Sequence, residues 1–117
     1  MKSLIVTNAA NNVVIATNVT HADNFFARLG GLMFRGSLKS DAGLLLDPCY
    51  SIHTFFMRFT IAAIFLGEGD AVLKIVTAPP WRISIARGAK RVLELPASTP
   101  ALNDVSVGDV LRFQRSA

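Results

Sequence analysis

A single cysteine, Cys49, stands in the 117 residues, so no disulfide framework can form within the chain. Charged residues are scarce at 17%, against about 25% in an ordinary domain, while hydrophobic residues reach 51%. A chain this apolar has enough surface to bury to offset the entropy of ordering, which excludes intrinsic disorder. Long apolar runs are nevertheless missing. The run from Phe59 to Gly67 falls well short of the roughly 18 residues of a spanning helix. The wider region from Gly43 to Leu66 is interrupted by Asp47, Pro48 and Arg58. At the N-terminus Lys2 is followed only by Leu4-Ile5-Val6 before Thr7 and Asn8, short of a signal peptide's apolar core of about 7–15 residues. The expectation is a soluble, cytoplasmic chain with no membrane span.

Acids are few as well, eight against twelve cations, for a net charge of +4. Four cations, Arg82, Arg87, Lys90 and Arg91, fall within ten residues that hold no acid, and such a patch attracts anions. Nucleic-acid binding is not expected, because only Trp81 adjoins the cluster and single-strand binders need several stacking rings.

The length suits one domain over residues 1–117. Leu4-Ile5-Val6 and Val13-Val14-Ile15-Ala16 flank a turn-like Asn8–Asn12 and predict a hairpin. Thr20 and Asp23 are spaced as a capping box, and Ala22, Phe25, Phe26 and Leu29 share a helical face that Gly30-Gly31 would end, predicting a helix over 20–29. Short β runs follow: Gly43–Leu46, Ser51–Met57, Thr60–Leu66, Ala71–Thr77 after the Gly67–Asp70 turn, Arg91–Leu95, and Val105–Phe113. Pro79-Pro80 breaks the fourth of these, and 96–103 reads as irregular or a short helical turn. The fold class expected is α+β and mainly β, a small antiparallel barrel-like domain with one helix in the N-terminal third.

Chemistry-bearing residues are sparse. Cys49, His53 and Met57 lie four apart and combine ligand types that suit copper, but a closed set needs a second histidine. The remaining one, His21, is expected on the helix, and an extended segment holds the three too far apart for one ion. No metal or cofactor is expected. Cys49 with His53 would serve as a nucleophile–base pair if the chain turns after Pro48. Glu94, set among Val92, Leu93 and Leu95, is the candidate acid or base, although a glutamate in such a strand ordinarily faces solvent.

Several segments together resemble a known family. Gly31-Leu32-Met33-Phe34-Arg35, Ile52–Phe59, Pro80-Trp81-Arg82, Leu93–Ala97 and Val107-Gly108-Asp109 are similar, in order and spacing, to the domain of unknown function 192 family of bacteria and archaea. The resemblance covers roughly residues 22–113 and implies a compact β-rich, barrel-like fold with a helix. It implies no activity, substrate or cofactor. The chain departs from the family pattern at Ala62 and Gly67, where aspartates are usual, and at Ser98, where glycine is usual.

The reading that follows is a binding module for a small polar or anionic ligand. Its site would gather around His53, Thr54, Met57, Arg58, Trp81, Arg82 and Glu94, the polar or aromatic positions where the resemblance is densest. Two alternatives stand beside it: a hydrolase using Glu94 or Cys49/His53, and an interaction protein using the basic loop 82–91. Ala62 in place of an aspartate is expected to leave the site more positive than in relatives. Oligomeric state has no signature in the sequence.

Overall fold

Nine strands form among the described residues, 3–22, 41–55 and 57–116, of the computed structural model. They are β1 (Leu4–Asn8), β2 (Val13–Ala22), β3 (Ala42–Leu46), β4 (Ser51–His53), β5 (Ile61–Leu66), β6 (Val72–Ala78), β7 (Ile83–Ile85), β8 (Arg91–Pro96) and β9 (Leu111–Arg115). Seven build one sheet in the order β6-β5-β8-β3-β2-β1-β9, and β4 pairs with β7 in a separate ribbon. The chain is thus mainly β.

The large sheet curls until its edges meet. Ala71, just before β6, bridges Val110, just before β9. The Val72 amide donates to the Asp109 carbonyl and the Gly108 amide to the Val72 carbonyl, each at 2.8 Å. Buried Asn8 pins the seam: its Nδ2 donates to the Asp104 carbonyl and, at 2.8 Å, to the Asp109 carboxylate.

Strand alternation sorts the core into two layers. Ile64 and Leu66 of β5, Leu93 and Leu95 of β8, Leu45 of β3 and Val6 and Val19 of β1 and β2 fill the inside of the curl. The turn over Pro100–Asp104 adds Ala101 and Leu102 to that layer. Ile61, Ala63 and Phe65 point the other way and join Leu44, Leu46, Val92, Met57, Ile52 and Ala86 in a second layer. Every residue of β5 is therefore buried, which explains its unbroken apolar run. Gly43 lies where a Cβ would stand 2.7 Å from Leu95 Cδ2 and 3.0 Å from the Glu94 carbonyl, so only glycine lets β3 and β8 approach.

The local reading at residue 20 does not survive. Thr20, His21 and Ala22 extend β2 and pair in parallel with Leu44, Leu45 and Leu46 of β3. A capping pattern spans only three residues of chain, whereas this ladder ties together segments more than twenty residues apart and buries Ala22. His21 is accordingly a strand residue, and one pairing of the sheet is parallel. The rest of the predicted helix, with Phe25, Phe26 and Leu29, lies outside the described residues. The run expected as one strand over Ser51–Met57 ends at His53, and β7 arises inside the segment read as a loop.

Candidate functional site

The β4–β7 ribbon pairs Ser51 with Ile85, Ile52 with Ser84 and His53 with Ile83. Its inward side chain Ile52 enters the second core layer, so Ser51, His53, Ile83 and Ile85 share the outward face. Beyond His53 the chain turns, and Phe55 brings its ring centroid 5.2 Å from that of His53. Trp81 stacks on the other side of Phe55, 5.5 Å between centroids. The result is a row of three rings running on from two isoleucines. Trp81 is 55% exposed, Ile83 65%, Ile85 54% and nearby Tyr50 63%.

Thr54 holds this row in place. Wholly buried, it donates from Oγ1 to the Pro79 carbonyl at 2.6 Å and accepts from the Arg82 amide at 2.8 Å. Its own amide donates to the Arg82 carbonyl, and its carbonyl accepts from the amides of Trp81 and Met57. The turn made after Pro79-Pro80 leaves Trp81 at φ 66°, a left-handed conformation that a bulky side chain adopts only under constraint. Thr54→Val keeps the shape and removes the hydroxyl, leaving a carbonyl and an amide without their partner. The expected loss is about 1–3 kcal/mol in the denaturation midpoint, with faster hydrogen exchange at the Arg82 amide. Unchanged exchange there would show that the clamp holds without the hydroxyl.

The seven residues singled out from the sequence divide between the surface and the buried layers. His53, Arg58, Trp81 and Arg82 are exposed, while Thr54 is a buried clamp and Met57 belongs to the second core layer. Arg82 donates from Nη1 to the carbonyl of Trp81 at 3.3 Å. Glu94 sits in the large sheet between Leu44 and Ala63, on the face that carries the second layer, and is 6% exposed. It is not the solvent-facing glutamate that alternation suggests, because a second layer covers the outside of the curl. Burial pushes its carboxyl up to about 8 from an ordinary 4.5. Ala62 is buried on the opposite face of β5 from Ala63, so its side chain points away from the Glu94 layer.

Cys49 and His53 meet different surroundings. The thiol donates to the Ser51 carbonyl at 2.9 Å, and the imidazole leans on Phe55. A cleft of about 370 Å³ lies beside the thiol, lined by Pro48, Cys49, Tyr50, Ser51, Ala89 and Lys90, and none of the seven candidates lines it. Among the described residues no group of three or more histidines, cysteines or acids is placed to hold a metal ion.

Arg91 leaves the basic cluster. Its Nη2 and Nε donate to the Asp70 carboxylate at 2.6 and 3.0 Å, and its guanidinium lies 4.6 Å from the Phe113 ring centroid. Asp47 stands 3.6 Å from Arg91 and 3.3 Å from His21. This chain of charges spans strands of the large sheet. Arg82, Arg87 and Lys90 remain exposed. The sequence does not single out exposed Tyr50, Ile83 and Ile85, or half-buried Phe55 between the rings. Only the Ile83-Ser84-Ile85 alternation hinted at them.

The sequence over residues 5–113 matches the model of the domain of unknown function 192 family (Uncharacterized ACR). The chain belongs to that family. Among curated relatives, a UPF0127 protein of Pyrococcus furiosus is 35% identical over 92% of this chain and 97% of its own length. A UPF0127 protein of Pyrococcus abyssi is 33% identical over 93% and 97%. Among solved structures, a protein from Sinorhizobium meliloti 1021, provisionally labelled a transcription regulator, superposes with a TM-score of 0.80 at 24% identity. It covers 96% of this chain and 92% of its own. A protein of unknown function from Novosphingobium aromaticivorans gives 0.77 at 23% identity, over 93% and 82%. At those identities the structural likeness concerns the fold of the family alone. No helix among the described residues is long and apolar enough to cross a membrane.

Proposed function

We propose that the chain is a binding module whose working surface is the outward face of the β4–β7 ribbon, and that it takes anionic ligands. The observation that carries this is the row of exposed His53, half-buried Phe55 and exposed Trp81 beside Arg82, in a stretch of chain without acids. Arginine presents a planar fork matched to carboxylate and phosphate, and the neighbouring rings cover the apolar part of a ligand. His53, Arg58, Trp81 and Arg82 make contact in this reading, and Thr54 positions them. Met57 and Glu94 belong to the layer beneath. A bulky residue held at positive φ with an exposed side chain is strain of the kind that collects at functional positions.

Calorimetric titration with inorganic phosphate, citrate and glucose tests the reading. Anions are expected to bind about tenfold or more tightly than glucose, and Arg82→Ala to weaken them by about tenfold. Trp81→Gly separates function from folding: glycine accepts the φ of 66°, so stability is expected within about 1 kcal/mol of the parent while anion binding falls. Glucose bound as tightly as phosphate, or Arg82→Ala without effect, would reject the reading.

A further inference from the structure

On the anion-binding reading of the same face, we propose that the ribbon docks on an anionic lipid surface. A small anion has no use for Ile83 and Ile85, yet both project outward and more than half exposed, next to Trp81 and Tyr50. Clustered apolar side chains of this kind, unlike single ones, mark contact surfaces. Segments 48–67 and 71–93 contain no acid at all. Their exposed cations are Arg58, Lys74, Arg82, Arg87 and Lys90, and Lys74 reaches the ribbon itself, donating to the Ile85 carbonyl at 2.9 Å. Exposed aliphatic and indole side chains on acid-free stretches that also carry exposed cations match a bilayer interface. There apolar groups enter roughly 5–10 Å into the headgroup and acyl boundary while cations meet lipid phosphates.

Two other occupants fit less well. A second copy docking through the same patch would set these cations against their own symmetry mates. Single-stranded nucleic acid needs open ring faces, but one face of Trp81 is already taken by Phe55 and the rest of the patch is aliphatic.

The chain holds one tryptophan, so its emission reports this surface directly. Vesicles of phosphatidylcholine with phosphatidylglycerol are expected to shift Trp81 emission to the blue, and brominated acyl chains in the same vesicles to quench it. Phosphatidylcholine alone should do neither. Binding should weaken as salt rises, since the Debye length is only about 8 Å at physiological strength. The double variant Ile83→Ser, Ile85→Ser is expected to cut co-sedimentation with the mixed vesicles by about tenfold or more. No emission shift and no bromine quenching in the parent protein, with phosphate still binding, would overturn lipid docking and leave the anion reading intact. So would undiminished sedimentation of the double variant, tighter binding of oligo-dT than of vesicles, or a dimer in light scattering that the double variant dissolves. Loss of phosphate binding as well would remove the reading beneath.

Discussion

Stability is expected to fall as pH rises from about 4.5 to about 8, and Glu94→Gln to flatten that slope. The Glu94 carboxyl titrates at about 8 in the fold, raised by burial, against an ordinary 4.5. Below pH 4.5 both folded and unfolded chains carry the proton, so the group costs nothing. Between the two values the unfolded chain releases its proton while the fold retains it, and deprotonation favours the unfolded state. Above 8 the fold must bury a carboxylate or open to hydrate it. The stability tied to the protonated group is fully present below 4.5 and gone above 8, with a span of at most about 5 kcal/mol. Glutamine keeps the volume without the charge. The measurement is the denaturation midpoint against pH for both proteins, because the difference between the curves isolates Glu94 from other titrating groups. Parallel curves would show that the carboxyl reaches water in the fold.

Phe65→Ala is expected to be the most damaging single truncation in the second layer, at about 3–5 kcal/mol. Phe65 is fully buried on the outer face of β5, in the same layer as Ile52 of β4 and Ala86 just after β7. Removing the ring takes away its transfer energy and leaves a cavity that an all-buried strand cannot close by moving. For a chain of this size the loss corresponds to a fall in Tm of roughly 10–25 °C. Because the layer supports the ribbon, Trp81 emission should also move toward that of water-exposed indole before global unfolding. A midpoint within about 1 kcal/mol of the parent would mean that the layer repacks around the gap.

The two variants mark the limits of the one-dimensional reading. Phe65 belonged to an apolar run whose burial was evident from composition. Glu94 was read as facing water because alternation places it opposite Leu93 and Leu95. That placement was correct, but the far side of the strand is covered. Which side of a sheet meets solvent depends on what the chain lays over it, and here Ile52, Met57 and Ala86 cover the outer face of the curl.

Much else was local and therefore legible. The β1–β2 hairpin, the turn at Gly67–Asp70 before β6, β5 and β8 each follow from a short apolar run with turn residues at its ends. The family segments were recognisable for a similar reason, being fixed spacings within the chain. Several features required partners distant in sequence. β2 runs on through Ala22 because β3 pairs beside it, against the local capping signal at Thr20. β7 exists because β4 accepts its hydrogen bonds, and Arg91 left the basic cluster because Asp70 and Phe113 surround it. Trp81 came to the surface beside Phe55 because buried Thr54 ties both turns together across more than twenty residues. Composition and spacing decided that this chain takes the β-rich fold and belongs to this family. Long-range hydrogen bonds and layer stacking, which no window of sequence contains, decided which of its side chains face outward and can touch a partner.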